Sequence, residues 1–253
     1  MRISHHILQT GSSLCGVSLI LVLLLASSHQ LSAQRKVSAD VEVKQVYDGK
    51  VLTTTKSVYC SNDGRMVVVF HKPDNYIVVT NTKGETKVYF PKSNEVIMDN
   101  GNLISSKDEL ISLFMNGRVD DLGLGLFGYR QVSSGREGNY LKKTFKASDN
   151  ANVPTVEIVY DNYLPIYSAY IGKDGNVLSE NRYSHYETFS RFVLPCRIDA
   201  VNHNAKNDST IIRTIYSNVR IDVDGEWFNY EVPSNAKPLP LNDVKNQLKQ
   251  MTK

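Results

Sequence analysis

The sequence predicts a mainly β fold, built as a long antiparallel meander. Short runs rich in β-branched and aromatic residues recur from Val41 to Val232, and such residues suit a pleated, half-buried surface. Glycine-containing pairs of the kind that form hairpin turns separate many of these runs: Asp48-Gly49, Asp63-Gly64, Lys83-Gly84, Asn100-Gly101, Asp174-Gly175 and Asp224-Gly225. A flat sheet of about ten strands would expose unpaired edges and an apolar face. We therefore expect the sheet to curl or to be covered.

The N-terminal residues do not belong to this sheet. Arg2, His5 and His6 give a weakly positive start, Val17 to Ala26 is an apolar run, and Leu31-Ser32-Ala33 offers a small residue for cleavage. This order is typical of a secretory signal peptide. A retained anchor is less favoured, because a membrane-spanning helix needs about 20 apolar residues. We predict a signal peptide over residues 1–33, cleaved near Ala33, and a single exported domain over residues 34–253.

The densest strand pattern lies between Arg65 and Met98. It contains four apolar runs punctuated by proline and glycine: Val67 to Phe70, Tyr76 to Val79, Lys87 to Phe90 and Glu95 to Met98. The stretch places no nucleophile beside a base and no cluster of metal ligands, so binding is expected of it rather than bond-making.

One insertion in the meander is predicted to be helical. Ser106 to Glu109 has the pattern of a capping box, in which the serine and glutamate side chains satisfy amides of the first turn. Leu110, Leu113 and Phe114 follow on one face, and Asn116-Gly117 supplies a stop. The glycine-rich, apolar segment from Asp120 to Phe127 also needs burial. We expect this insertion to cover the sheet.

After Tyr129 the strand pattern resumes, and the chain is predicted to end in a short helix. The strands are expected at Tyr140 to Phe145, Val156 to Tyr160, Pro165 to Ile171, Val177 to Tyr186, Phe192 to Val201, Thr210 to Ile221 and Trp227 to Val232. Leu241 to Met251 has the apolar period of a closing helix.

Charge and motif spacing argue against several functional classes. The formal charge is +3, and removing Arg2 with the signal peptide would leave +2, without any basic run of the kind that binds nucleic acid. Gly123, Gly125 and Gly128 spell a dinucleotide-binding motif, but a helix precedes it where that motif requires a strand. No nucleotide cofactor is expected, and His71, His185 and His203 lack metal-ligand spacing.

No catalytic arrangement is evident, so the protein is not predicted to be an enzyme. Cys196 and His185 would have to meet across strands to act as nucleophile and base, and Ser184 and His185 are expected on opposite faces of one strand. Cys60 and Cys196 remain after processing. They could pair in an oxidising compartment or serve as small buried hydrophobes, and the sequence leaves both open.

Four motifs, in this order, resemble the LolA-like superfamily of outer-membrane lipoprotein carriers and sorting proteins. His71 to Tyr76 matches a strand end with proline before an aromatic residue, and Gly84 to Pro91 matches a turn and a strand that ends in Tyr-x-Pro. Asp121 to Leu124 resembles the family's second lid region, and Phe228 to Pro233 resembles its closing strand. The resemblance spans roughly Val41 to Lys237.

The resemblance implies an incomplete, strongly curved antiparallel β-barrel with a helical lid over a hydrophobic cavity. In the carrier proper, the cavity holds lipoprotein acyl chains between an inner-membrane donor and an outer-membrane acceptor. Two departures are visible. Val41 to Tyr47 forms a strand pattern where the carrier has a helix, and Lys72 stands where the carrier's lid-binding arginine is expected, without its planar fork of donors.

The sequence therefore leads to two hypotheses. The first is a periplasmic carrier or sorting protein that holds lipoprotein acyl chains or another lipid. The residues expected to contact the acyl chain or the lid are Phe70, Lys72, Tyr76, Val78, Tyr89, Leu113, Phe114, Leu122 and Phe127. The alternative is a non-catalytic envelope interaction module, in which the same curved sheet has a filled interior and binds a protein partner.

Overall fold

The computed structural model of the chain describes residues 35–99, 109–147, 151–190, 192–203 and 209–240. The predicted signal peptide and the predicted helix from Leu241 to Met251 lie outside these residues. Both remain predictions, as does the division of the chain into residues 1–33 and 34–253.

The described residues form one sheet of fourteen strands, which confirms the mainly β prediction. The strands are β1 Lys36–Tyr47, β2 Lys50–Ser61, β3 Met66–Lys72, β4 Tyr76–Thr80, β5 Thr86–Phe90, β6 Glu95–Asp99, β7 Arg130–Glu137, β8 Tyr140–Lys146, β9 Thr155–Asp161, β10 Leu164–Ile171, β11 Val177–Phe189, β12 Phe192–His203, β13 Ser209–Ile221 and β14 Lys237–Pro238. The sheet is curved and unclosed, as expected for an incomplete barrel.

The strand order places the first strand in the middle of the sheet. From edge to edge the order is β14-β6-β5-β4-β3-β2-β1-β13-β12-β11-β10-β9-β8-β7. Strands β1 to β6 therefore run outward in one direction, and β7 to β13 return from the opposite edge until β13 pairs with β1, where Val41 lies opposite Tyr216. Sequential hairpins account for every neighbouring pair except β1 with β13 and β14 with β6.

Local turn chemistry sets the hairpin register. Asp48 and Gly49 connect β1 to β2, and both have positive φ, at 49° and 68°. Two such residues make the tight turn whose twist matches that of antiparallel strands. The pairing that follows is regular from Tyr47 with Lys50 to Lys36 with Ser61.

The two faces of the sheet carry separate apolar clusters. We call the face that packs against the insertion the inner face, and its cluster includes Val41, Val58, Val68, Val78 and Val88. The outer face carries a smaller cluster, made of Val67, Val69, Ile77, Val79, Tyr89 and Val96. Alternate residues of β3, β4 and β5 belong to different clusters, as strand geometry requires.

The insertion between β6 and β7 crosses the inner face, because these strands lie near opposite ends of the sheet. Its described part contains helix α1, Leu110–Met115, and a 3₁₀ turn, Leu124–Phe127. We call residues 109–129 the lid. Within α1, Ile111, Leu113, Phe114 and Met115 are buried. No helix among the described residues is long and apolar enough to cross a membrane.

Glu109 does not hold the position that the predicted capping box gives it, and Ser106, the first residue of that box, lies outside the described residues. The described helix begins at Leu110, and Glu109 is its N-cap residue rather than the third residue of a capping box. The Glu109 carboxylate is bound by the Lys56 ammonium group of β2. The local sequence pattern predicts that the Glu109 side chain caps the helix. Instead, this side chain forms a tertiary contact with Lys56 of β2.

A C-terminal segment covers the outer cluster. Trp227 and Tyr230 pack against it, and Trp227 to Asn229 belongs to a 3₁₀ turn, Glu226–Asn229, instead of the predicted strand. Arg65 explains the difference, since its guanidinium group donates to Phe228 O at 2.9 Å and to Tyr230 O at 2.5 Å. These carbonyl groups are therefore satisfied by a side chain and need no neighbouring strand.

Candidate ligand-binding cavity

A cavity of about 670 Å³ lies between the lid and the inner face of the sheet. This volume falls within the range of about 300–1,000 Å³ that is usual for small-molecule sites. Its walls come from β1, β2, β10, β11, β12 and β13, and its cover comes from the lid. The lining residues are Val41, Val43, Lys56, Glu109, Leu110, Leu113, Leu122, Leu124, Phe127, Tyr129, Val153, Tyr170, Asn181, Tyr183, Ile198, Ala200, Thr214 and Tyr216.

The polar groups of the cavity wall bond to one another. Asn181 Nδ2 donates to Ser168 Oγ at 3.1 Å, and that hydroxyl group lies 3.0 Å from the Tyr183 hydroxyl group. Burial raises the pKa of Tyr183 and that of Tyr216, so both phenols stay neutral at physiological pH. This part of the wall therefore offers a ligand uncharged, mostly apolar surface.

On one flank, Lys56 holds the start of the lid. Its Nζ atom forms an ion pair with Glu109, and both side chains are largely shielded from solvent, with exposed fractions of 13% and 20%. The same ammonium group lies 5.5 Å from the centre of the Phe70 ring. Phe70 thus supports the lysine that contacts the lid.

On the other flank, Lys143 of β8 holds the lid at Asp120. Its Nζ atom forms an ion pair with the Asp120 carboxylate and lies 5.1 Å from the centre of the Tyr160 ring. The Tyr160 hydroxyl group donates to Asp120 O at 2.5 Å. Two lysines from distant strands, each placed over an aromatic ring, therefore bind two acidic residues of the lid.

Asp121 shapes the turn between the two parts of the lid. Its carboxylate accepts hydrogen bonds from Gly123 N at 2.9 Å and from Gly125 N at 3.0 Å. Gly123 has a φ of +79°, and a Cβ atom there would lie only 2.8 Å from Leu113 Cδ2. The glycine-rich motif therefore serves an apolar turn, in agreement with the sequence interpretation.

Three of the predicted contact residues line the cavity, namely Leu113, Leu122 and Phe127. Phe70 and Tyr76 stack beside it, with ring centres 4.1 Å apart, and are partly buried against the inner cluster. Val78 and Phe114 are buried within that cluster. These four residues belong to the packing of the inner cluster and are not among the residues that line the cavity.

Tyr89 and Lys72 lie elsewhere. Val78 pairs with Val88, so Tyr89 points to the outer face, where its hydroxyl group donates to Asn94 Oδ1 at 3.1 Å. Lys72 is exposed at the end of β3. Lys56, which the sequence interpretation did not single out, occupies the lid-binding role that was expected of Lys72.

Most of the cavity wall was not predicted. Tyr170, Tyr183, Ile198, Thr214 and Tyr216 come from β10 to β13, which reach the lid because β13 pairs with β1. Part of this wall could have been predicted from sequence. Residues two apart in a strand share a face, so the apolar Val41 and Val43 on either side of Glu42 indicate one buried face of β1.

The cysteines are free and buried in the structure. Burial raises the pKa of Cys196 to about 11, and Glu187 acts in the same direction, so its thiol stays protonated. His185 Nδ1 lies 3.1 Å from Ser184 Oγ. The expectation that these neighbours lie on opposite faces is wrong, because His185 departs from extended geometry with a φ of 54°.

A polar cluster on the outer face joins Asp40, Ser57 and His71. Ser57 Oγ donates to Asp40 Oδ1 at 2.7 Å and lies 2.9 Å from His71 Nε2. The serine is therefore the middle member, whereas a catalytic triad requires the histidine there. Among the described residues, no group of three or more histidine, cysteine, aspartate or glutamate side chains is placed to hold a metal ion.

The curved, unclosed sheet with a lid across its inner face is a LolA-like fold, and comparisons with solved structures agree. A LolA superfamily protein from Nitrosomonas europaea is similar at a TM-score of 0.54 and 12% identity, over 84% of this chain and 97% of the other. A DUF1329 family protein from Desulfovibrio piger is similar at a TM-score of 0.54 and 15% identity, over 83% and 93% of the two chains.

A third solved structure is similar to this chain to the same degree. It is a domain from Vibrio parahaemolyticus classed with outer membrane lipoprotein-sorting proteins, similar at a TM-score of 0.52 and 12% identity, over 83% of this chain and 95% of the other. No protein-family model and no curated protein sequence matches the chain. At these identities the likeness concerns the fold.

Proposed function

We propose that this protein is a periplasmic carrier that holds the acyl chains of a lipoprotein or another lipid in the cavity beneath the lid. The observation that supports the proposal most directly is the cavity of about 670 Å³, lined mainly by aliphatic and tyrosine side chains. Each methylene group removed from water contributes about 0.8 kcal/mol. A chain would therefore be retained while the lid is closed and released when the lid moves.

Several residues have assigned roles in this proposal. Leu113, Leu122 and Phe127 contact the acyl chain from the lid, and Val41, Val43 and Ile198 contact it from the sheet. Phe127 belongs to the cavity lining although its side chain is 57% exposed. It is therefore the lid residue best placed to move when a ligand enters.

Export and exchange partners complete the proposal. The predicted signal peptide supports delivery to the periplasm, and the LolA-like fold supports transfer between an inner-membrane donor and an outer-membrane acceptor. The alternative, an envelope interaction module, requires a filled interior. The cavity favours the carrier.

Lipid content and uptake test the proposal together. Native mass spectrometry of protein purified from the periplasm should find a bound lipid that delipidation removes. The delipidated protein should then take up a fluorescent fatty acid. Equal masses before and after delipidation, with no uptake, would contradict the carrier function.

A matched pair of variants would locate the binding site. Ala200 lines the cavity, so Ala200→Phe should fill it and weaken uptake about tenfold or more. Its neighbour Val201 points to the outer face of the same strand, so Val201→Phe should leave uptake unchanged. Equal uptake by both variants would place the ligand outside this cavity.

A further inference from the structure

Exposed apolar side chains are concentrated at one rim of the sheet. Val46 lies opposite both Val51 and Ile211, so these three form a row across β2, β1 and β13. All three are exposed, Val51 at 64%. Tyr47 and Leu52 are also about half exposed at the same hairpin end. We call these five residues the apolar rim.

The apolar rim carries apolar side chains on both faces of the sheet, at the end of three neighbouring strands. Val46, Val51 and Ile211 lie on the outer face, whereas Tyr47 and Leu52 continue the inner face of Val41 and Val43. A protein partner that packs against one face would leave the other face in water. A lipid bilayer surrounds an inserted tip on both faces and accommodates tyrosine at its interface.

The burial of inner-face side chains decreases from the cavity toward this rim. Along the inner face of β1, burial decreases from Val41, which is 2% exposed, through the half-buried Val43 to Tyr47 at 49%. On β13, Tyr216 is buried, and Thr214 and Ile212 are half-buried. At about 3.3 Å per residue, Tyr47 lies about 13 Å along the strand from the cavity-lining Val43.

A continuous inner-face row joins the cavity to the rim. Leu52 lies opposite Gln45, Gln45 opposite Ile212, and Ile212 opposite Ala200. Ala200 lines the cavity. A lipid that leaves the cavity along this row therefore meets apolar side chains as far as the rim at every position except Gln45.

Among the described residues at the β1–β2 turn, the charges suit a surface without net charge. Asp48 and Lys50 flank the turn and cancel formally, and Lys44 is paired with Glu42 at 2.8 Å. Docking at this tip is therefore expected to depend on apolar contact more than on attraction to anionic headgroups.

We propose that the apolar rim docks on the surface of a lipid bilayer, and that lipid passes between the bilayer and the cavity across it. The proposal rests on the carrier function, since it names the partner at the mouth of the same cavity. Val51 and Leu52 insert below the headgroups, and Tyr47 lies at the interface.

Vesicle flotation tests the docking step. The protein purified from the periplasm, without the predicted signal peptide, should float with phosphatidylcholine vesicles. The double variant Val51→Ser and Leu52→Ser should float about tenfold less or worse, because it removes two inserted aliphatic side chains. The matched control, Val132→Ser and Tyr140→Ser, changes two similarly exposed residues on β7 and β8, which lie six or seven strands from β1 in the sheet, and should float like the parent.

The outcomes separate docking from cargo binding. The rim variant should keep uptake of fluorescent fatty acid from solution, whereas Ala200→Phe should lose uptake and still float. Failure of the parent protein to float, or equal flotation of the rim variant, would overturn the docking proposal while leaving the uptake result to decide the carrier function.

Two further results would also overturn the docking proposal. One is a change of more than about twofold when phosphatidylglycerol is added, since docking by apolar contact needs no anionic lipid. The other is self-association by light scattering, without vesicles, that the rim variant abolishes, because the rim would then bind a second copy.

Discussion

At the scale of single residues, Lys56 connects the sheet most directly to the start of the lid. Its ammonium group binds Glu109 at the N-cap of α1 and lies over Phe70. Because both charged side chains are largely shielded, losing one partner leaves the other poorly solvated. The closed state of the lid therefore depends on a pair formed between residues that are distant in sequence.

Replacing Lys56 by methionine should destabilise the protein and loosen the lid. We expect the free energy of unfolding to fall by about 1–3 kcal/mol, since Glu109 loses a charge-assisted hydrogen bond. Urea denaturation measures the loss, and hydrogen exchange at residues 110–115 measures the loosening. Lys72→Met is the control, because Lys72 is exposed. An equal effect of both substitutions would argue against the lid contact.

Asn218 should control the titration of Asp40. The Asn218 Nδ2 donor lies 2.9 Å from Asp40 Oδ2 and is the main cause of the lowered pKa of Asp40. Asn218 has a φ of 51°, so Asn218→Gly removes the donor without straining the backbone. We expect the pKa of Asp40 to rise, as measured by NMR titration of its carboxyl group.

The stability difference between the parent protein and Asn218→Gly should depend on pH. A carboxyl group with a lowered folded-state pKa stabilises the fold above its unfolded value of about 3.9, and this contribution is lost as the pH falls through the folded value. The parent protein should therefore exceed Asn218→Gly in stability at pH 7 and lose that advantage below about pH 4. Asn162→Gly, with a similar φ of 45°, should show no such pH dependence.

The candidate site was predictable from sequence only in part. The apolar pattern of the insertion identified Leu113, Leu122 and Phe127, because a lid must bury its apolar face. Alternation also shows that Val88 and Tyr89 face opposite ways, but it does not say which of them faces inward. The pairing of Val78 with Val88 decides that, and such a register depends on tertiary structure.

At the scale of elements, the lid turn is held in a backbone conformation that only glycine adopts easily. Gly123 has positive φ and lies against Leu113, and Asp121 accepts hydrogen bonds from two amides of the turn. The turn therefore links the cavity-lining Leu122 to the core of the lid.

Gly123→Ala should destabilise the lid more than a comparable substitution. Gly117→Ala is a matched control, because Gly117 also has positive φ, at 68°, but has no atom within 4 Å of an added Cβ. Both variants should lose about 1 kcal/mol from the left-handed backbone, and Gly123→Ala should lose more through its contact with Leu113. Urea denaturation would compare them, and equal losses would contradict the packing argument.

Elements defined by local chemistry were predicted well. The hairpins from β1 to β6 follow from runs of strand-forming residues and from glycine or proline in the turns, which act within a few residues. The start of α1 and the conformation of Trp227 to Asn229 were not predicted. In both places a side chain distant in sequence changes the local structure. Lys56 binds the carboxylate of Glu109, which the predicted capping box needed, and Arg65 binds the carbonyl group of Phe228, which a strand would have paired.

At the scale of the whole molecule, the pairing of β1 with β13 joins two meanders into one sheet. Strands β1 to β6 lie on one side of this pairing, and β7 to β13 lie on the other. No sequence signal predicted it, since residues from opposite ends of the domain must meet. The same pairing brings the walls of the cavity together.

Hydrogen exchange should reflect this arrangement. We expect the slowest amide exchange in β1 and β13, which have neighbours on both sides, and faster exchange in β7, which lies at an edge with every side chain exposed. Mass spectrometry of peptides after timed labelling measures both. Equal protection of β7 and β1 would mean that a further chain pairs with the β7 edge in solution.

The central position of β1 also governs when the domain can be completed during synthesis. The amide of Lys36 contacts Asp222 across 186 positions of sequence, and at about 5–20 residues per second the ribosome takes about 10–40 s to make that length. Once β6 has been made and until β13 is available, a meander formed by β1 to β6 has an unpaired central edge and an uncovered apolar surface. Biogenesis of the protein therefore depends on protecting a half-made sheet from aggregation until its last long strand arrives.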